Sequence, residues 1–402
     1  MDDKTQAALV ERFFDLQQRR TTDLAESTFR VSAAHYTSEA ELDRERATLF
    51  RGLPLVAALS VDLREPGDYV SFDADGIPLI LIRGEDGNVR ALVNACRHRG
   101  ARVFPVGRGH HGGRNVTCPF HAWTYDVYGR LLGQPLARDG FSDCDNDLLG
   151  MRSLPVEERH GLVFVTPLRA DDETVRAQTE DVLGGIGAEL DHFRLGDWFH
   201  VESRSLEVPL NWKFIMDTFL ESYHIFALHK GSIGPWYFSS PGLFDSFGPS
   251  SRVCGVRASI SQLADTPKEQ WSILPHATVL HILPPNTVLV HQQDHIELWK
   301  VFPGSTPAQA RIDASLYAPE EPKTEKAWNY WRKNLDLAIN ITNDEDFPQA
   351  RESQHSLASG ALVSLVYGRN EPGLVHFHRT IIELMDRFGS AEPDRARTGV
   401  VS

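Results

Sequence analysis

Apolar positions in the first fifty residues recur at roughly helical spacing, with Leu9, Phe13, Phe14 and Leu16 in one run. A second run, Leu42, Leu49 and Phe50, follows Ser38-Glu39-Ala40-Glu41, which has the form of a capping box. The pattern predicts helices over 1–50, packed as an N-terminal layer on a larger body. From about 52 onward the runs shorten. Segments 77–82 and 89–93 are separated by the turn-forming Glu85-Asp86-Gly87-Asn88, which predicts a mostly antiparallel β unit over 51–167. A Gly-rich, charged stretch around 169–198 leads into a third region, 168–402, that mixes both patterns. Strands are predicted there at 277–283, 287–290, 296–301 and 312–316, and helices at about 211–229, 322–340, 345–359 and 373–388. The expected class is α+β: a β-rich domain followed by a domain with an antiparallel sheet flanked by helices. No internal repeat or low-complexity tract is present.

At 402 residues and 41% hydrophobic content the chain is long and apolar enough for two cores. Its 41 Lys and Arg against 55 Asp and Glu give a net charge of −14, which argues against nucleic acid or an anionic membrane as partner. The start, Met1-Asp2-Asp3-Lys4, lacks the basic and apolar regions of a secretory signal, and no apolar run approaches the ~18 residues of a membrane span. A cytoplasmic location is expected. Four cysteines cannot form a disulfide framework in a chain of this length, and beside 17 histidines they point to metal or catalysis.

Two of the four lie in a regular arrangement. Cys96-Arg97-His98 and Cys118-Pro119-Phe120-His121 place one thiolate and one imidazole in each of two short loops. Such a set suits zinc or a [2Fe–2S] cluster. Zinc fingers usually pair both cysteines in one loop and both histidines in the other, whereas the interleaving here fits a cluster in which one iron takes both thiolates and the other both imidazoles. Arg97, Arg99, Gly100 and the glycines between 107 and 113 suit its surroundings, because glycine lets backbone N–H groups approach sulfide. Cys144 and Cys254 match no motif and are expected to be buried thiols.

The longer strings, Asn94 to Ala101 and Cys118-Pro119-Phe120-His121-Ala122-Trp123-Thr124-Tyr125-Asp126, resemble the Rieske domain of ring-hydroxylating oxygenase large subunits. That family commonly has Gly where this chain has Ala122. The segment from Asn211 to His229 contains two histidines five apart, His224 and His229. On a regular helix five residues rotate by ~140° beyond a full turn, so the rings converge only where the helix distorts or ends. Gly231 and Pro235 supply an end. This segment is similar to the mononuclear-iron motif of the same family, and the resemblance implies His224 and His229 as iron ligands. It also implies a carboxylate from a distant helix, where Asp344-Glu345-Asp346-Phe347 points to Asp346, with Asp344 as the nearest rival. Two imidazoles and one carboxylate on one face of Fe(II) leave positions open for O₂. Glu221, by the same resemblance, takes the place of the carboxylate that links the Rieske histidine of one subunit to the iron-ligand histidine of the next; Thr218 stands where many relatives carry Asn.

The resemblance extends over the Tyr36 to Phe50 helix and over Gly373 to Arg379. It implies a terminal oxygenase that hydroxylates an aromatic or similarly apolar small molecule. Electrons would come from NAD(P)H through a separate reductase, with or without a ferredoxin, because the chain has no dinucleotide fingerprint. A homotrimer is implied, with or without a small β subunit. Trp236, Tyr237 and Phe238, with Val253, Leu280, Ile282, Leu289, His291 and His295, are candidate pocket residues, His291 and His295 being alternatively solvent-facing. The aromatic triplet offers a second reading, a box for a quaternary ammonium substrate. A third, of another class, is a structural zinc protein that binds partners.

Overall fold

The computed structural model describes residues 1–167 and 172–389. Residues 169–171 of the Gly-rich stretch, and everything beyond 389, lie outside the described residues. The helix Asp3–Gln18 is capped by Asp2, which accepts the Thr5 N–H at 2.7 Å, and it buries Leu9, Val10, Phe13 and Leu16. Phe13 meets Phe238 and Phe14 meets Trp271, so this helix is fixed to residues of the third region. Ser38 caps the helix Glu39–Glu45 through the Glu41 N–H, as its sequence form predicts. The reciprocal half of the box does not form. The Glu41 carboxylate lies instead 3.3 Å from Nδ1 of the buried His35, whose ring nitrogen needs a partner.

The middle of the chain is antiparallel β. Five strands run in the order Ser153–Leu154, Val89–Val93, Ile77–Arg83, Asp68–Ala74 and Gly107–His110. Two three-stranded sheets accompany them, one of which, Asn115–Thr117 with Thr124–Asp126 and Leu131–Gly133, carries a loop at its first hairpin. Asn94 pins the other candidate loop. Its Nδ2 donates to Ser71 Oγ and the Phe104 carbonyl, and its Oδ1 accepts the N–H groups of Val103 and Phe104, all within 3.0 Å.

The third region is built on a seven-stranded antiparallel sheet, ordered Phe199–Val208, Ala310–Ala318, Ile296–Pro303, Thr287–His291, Ala277–Leu283, Ser250–Val256 and Leu243–Phe247. The predicted strands 277–283, 287–290, 296–301 and 312–316 all fall within it. The helices Glu325–Ile341, Phe347–Ala358 and Pro372–Gly389 agree with prediction to within a few residues. The expected helix 211–229 does not: it is two pieces, Trp212–Asp217 and Ile225–Leu228, with turns between. Among the described residues no helix is long and apolar enough to cross a membrane.

The first piece is anchored from below. Lys213 is fully buried and pairs with Glu45 of the N-terminal layer, which also accepts the Trp212 indole N–H at 2.7 Å. Burial pushes Lys213 below its ordinary pKa and Glu45 above it, so each charge depends on the other. Replacing Glu45 by Gln strands the ammonium in the core and is expected to lower stability by about 3–5 kcal/mol. Urea unfolding at pH 7 measures this, and a Glu45→Leu, Lys213→Met double variant should recover most of the loss.

Candidate metal centres

The Cys96 and Cys118 loops fold as the same turn. The Cys96 N–H donates to the Ala101 carbonyl and the Gly100 N–H to the Cys96 carbonyl; the Cys118 N–H donates to Trp123 and the Ala122 N–H to Cys118, all at 2.8–3.1 Å. The fourth residue after each cysteine is left-handed, Gly100 at φ 74° and Ala122 at φ 58°. The glycine that relatives carry at the second position is thus the residue the turn favours, and Ala122 is mildly strained. Both thiols are buried and unlinked. Tyr125, at the base of the hairpin, lies 3.2 Å from the Cys96 sulfur through its hydroxyl, which also accepts the Arg97 N–H. His98 stacks on Trp123 at 5.0 Å and meets His121 edge-on at 4.7 Å.

The donor set fits a two-iron cluster. His98 Nδ1 is buried without a partner, a cost the fold carries unless something at the loop tips takes that lone pair. Among the described residues no three of these four side chains bring ligand atoms within 4.8 Å of one another, whereas a single tetrahedral zinc would require all four to close on one point. Cys254, as expected, is a buried thiol, its pKa pushed up to about 12 by burial. Cys144 corrects the expectation: it is exposed.

The second donor set forms where the helix is interrupted. Glu221 accepts the N–H groups of Tyr223 and His224, the latter at 3.1 Å, just before the short helix Ile225–Leu228 that His224 and His229 flank. Its other oxygen holds His224 Nδ1. His229 Nδ1 is held by Glu345 at 2.8 Å, and Ser232 donates to the same carboxylate at 2.8 Å. With both Nδ1 atoms occupied, both Nε2 atoms face Asp346 Oδ1, at 3.5 Å from His224 and 3.3 Å from His229. All three ligand atoms lie within 4.8 Å of one another. Burial opposes charge on His229, yet Asp346 and Glu345 outweigh it and raise its pKa, the electrostatics of a site that accepts a cation.

Asp346 does not begin a helix, as its sequence position suggests. It closes a wide π-type turn, Thr342–Asp346, that joins the helices Glu325–Ile341 and Phe347–Ala358 without a break. Pro348 has no N–H to give to a residue one turn back, which favours the wider turn. The extra residue rotates Asp346 inward, where it is 6% exposed, and leaves Asp344 in solvent bonded to Asn343. The rival ligand is thereby separated from the histidines.

Two family models match the chain. One, described as a Rieske [2Fe-2S] domain, covers residues 54–149. The other, described as a ring hydroxylating alpha subunit catalytic domain, covers 195–387 and contains both histidines and Asp346. The chain belongs to the Rieske-type ring-hydroxylating oxygenase large-subunit family. Relatives include a carnitine monooxygenase oxygenase subunit of Acinetobacter baumannii, 33% identical over 49% of this chain and 51% of that protein. Another is an anthranilate 1,2-dioxygenase large subunit of Burkholderia cepacia, 33% identical over 50% of this chain and 48% of that one. The chain spans about half the length of these curated relatives. A crystal structure of a quaternary ammonium Rieske monooxygenase shares the fold, with a TM-score of 0.75 at 22% identity over 90% of this chain and 96% of that one.

Within this oxygenase-family fold a cavity of ≈ 310 Å³ adjoins His224, His229 and Asp346. Trp236, Tyr237, Val253, Leu280 and His295 line it as proposed from sequence. Phe238, Ile282 and Leu289 do not; Phe238 packs on Phe13, and the other two are buried in hydrophobic clusters. His291 and His295 are both buried, not solvent-facing. His291 sits between Phe193 and Trp198, where burial lowers its pKa to about 4. Burial also opposes charge on His295, but Asp294 at 2.7 Å and Glu297 at 3.2 Å outweigh it and push its pKa up to about 9. Glu345, Arg257, Thr278, Gln292 and Glu297 escaped the sequence reading. Only Glu345, inside the acidic triplet, carried a local signal.

Two measurements check this geometry. Glu345→Ala should cost roughly 10- to 100-fold in iron affinity at the second site, read by iron retained after dialysis against a chelator, with the visible spectrum of the first site unchanged. Ala122→Gly should relieve the left-handed strain and stabilise the hairpin by about 1 kcal/mol, read by thermal unfolding.

Proposed function

We propose that this chain is the terminal oxygenase component of a Rieske non-haem iron system. The reading divides it into an N-terminal layer (1–50), helical apart from the strand Phe29–Ser32, a Rieske domain (51–167) and a catalytic mononuclear-iron domain (168–402). Cys96, His98, Cys118 and His121 would hold the [2Fe–2S] cluster, and His224, His229 and Asp346 the Fe(II). When bound, the cluster supplies one-electron transfer and the iron supplies the site at which O₂ is activated. For each O₂, two electrons and two protons are consumed; either one oxygen atom enters the substrate and the other leaves as water, or both enter.

The observation that carries the reading is the convergence of His224, His229 and Asp346 with each imidazole oriented through its other nitrogen. Glu221 is the proposed electron bridge. Its carboxylate already holds His224, and its neighbours Tyr223 and Phe226 are 57% and 61% exposed, as Phe120 beside His121 is at 55%. Large apolar side chains in solvent beside both metal-binding sets support contact between subunits, and hence a homotrimer in which electrons cross from one chain to the next. A separate NAD(P)H-dependent reductase, with or without a ferredoxin, supplies the electrons, and the location is cytoplasmic. The substrate is an aromatic or similar organic molecule. A second reading, a quaternary ammonium compound, is supported by the likeness to the carnitine enzyme and by the buried Glu297 in the cavity.

Purified aerobically, the protein should be brown, with about three iron and about two acid-labile sulfide per chain. A colourless protein with zinc and no sulfide would remove the oxygenase reading. Glu221→Gln should keep the iron and sulfide content yet lose nearly all NADH-dependent O₂ consumption; full activity in that variant would remove the bridge.

A further inference from the structure

Arg257 enters the cavity from the end of the strand Ser250–Val256, on the wall shared with Tyr237, Thr278 and Gln292. Its Nη2 donates to Gln292 Oε1 at 2.9 Å and to Thr278 Oγ1 at 3.3 Å, two neutral acceptors. Among the described residues it forms no ion pair, and its Nε is buried with no partner. The contrast lies in the counter-charge: the buried Arg252, whose Nε is also unpartnered, pairs with Glu189 and Asp245, and the half-buried Arg108 pairs with Asp62 at 3.0 Å. An uncompensated guanidinium with a spare buried donor is costly where it stands, and an anion in the cavity removes that cost.

The buried carboxylate of Glu297 in the same cavity is committed elsewhere. Glu297 accepts the Trp299 indole N–H at 2.7 Å, lies 3.2 Å from His295 Nε2, and accepts Gln292 Nε2 at 3.4 Å. Gln292 therefore turns its oxygen to Arg257 and its amide nitrogen to Glu297, a spacer that keeps the two charges from joining. The guanidinium is also held in place. Its carbon lies 4.8 Å from the centre of the Tyr237 ring, and that ring is fixed by its hydroxyl, 2.7 Å from Thr278. The face of Tyr237 is thus already taken by a cation, and a bare quaternary ammonium placed there would meet like charge.

Resting on the oxygenase reading, we propose that Arg257 anchors a carboxylate of the substrate, so that the substrate class is a small organic acid, zwitterions included. The acid end binds at Arg257 and the remainder extends along the apolar walls, Leu280 and Val253 among them, toward His224 and His229. Arg257 is then the residue that sets specificity.

The test is calorimetric titration of the full, metal-loaded chain without reductase, so that no turnover occurs. Benzoate, hexanoate and γ-butyrobetaine are each compared with their own carboxamides. At least one acid should bind about tenfold or more tightly than its amide, and Arg257→Gln should erase that preference while leaving amide affinity within about twofold. Arg257→Lys should keep part of it. Equal binding of acids and amides, no measurable binding of any acid, or a preference that survives in Arg257→Gln overturns the proposal. Oxygen consumption with reductase is measured separately: acid preference without it leaves the anchor and removes the oxygenase reading, and the converse result does the reverse.

Discussion

The Glu221 carboxylate accepts the backbone N–H of His224 with one oxygen and holds the ring nitrogen of the same residue with the other. This contact lies in the break between the helix that ends at Asp217 and the one that starts at Ile225. Without that break, histidines five apart would point ~140° away from each other on a continuous helix, and no single ion would reach both. The break is supported from several sides. Gly373 of the C-terminal helix packs so closely on the Leu220 carbonyl that a Cβ there would lie 2.2 Å from the oxygen. Lys213 and Trp212 fasten the preceding turn to Glu45.

The same segment is tied to the far end of the chain by a buried polar network. Asp217 accepts from Tyr36 at 2.8 Å and lies 2.9 Å from His378 Nε2, while His378 Nδ1 lies 3.2 Å from His35. Tyr36 stacks on Phe214, and Tyr367 stacks on His378. A network in which most polar atoms are satisfied defines one geometry rather than several, because any shift leaves a buried group unpaired. It joins residues from the first fifty, from the interrupted helix and from the last helix in one hydrogen-bonded network. The Val375-His376-Phe377-His378 string is therefore structural in part: its second histidine orients the iron-site helix without approaching the ligands.

What could be read from the sequence follows from how local each signal is. The Cys96 and Cys118 loops contain their own turns, donors and left-handed positions, so their chemistry is visible in short strings. The sheet strands were legible for the same reason, since alternation and turn residues are local. The interruption at 218–224 was not, because no Gly or Pro marks it between Trp212 and His229, and the close approach of Gly373 and the anchoring of Lys213 are non-local. The resemblance points to Asp346, but its inward rotation depends on a π-type turn whose one local sign is Pro348. The pocket polar groups were least visible. Arg257, Thr278 and Gln292 come from the ends or middle of different strands and meet only after the sheet has formed.

Both metal-binding sets lie where regular hydrogen bonding is interrupted, and the interruptions differ in kind. At the two cysteine loops the backbone turns back on itself twice in the same way, with both thiols buried and both imidazoles half-buried. At the proposed iron site one helix is interrupted and another carries an extra residue in a π-type turn, and a carboxylate beside each holds a proposed ligand: Glu221 for His224, Glu345 for His229. The carboxylates do two things at once. They fix which imidazole nitrogen is free, and they place two negative charges near the ligands, beside the third on Asp346. The cavity above continues the pattern in reverse, with one unmatched positive charge on Arg257 kept apart from Glu297 by the Gln292 amide. A cavity that holds acidic groups beside the two histidines and one cation without a counter-charge on Arg257 can orient a polar substrate before any chemistry begins.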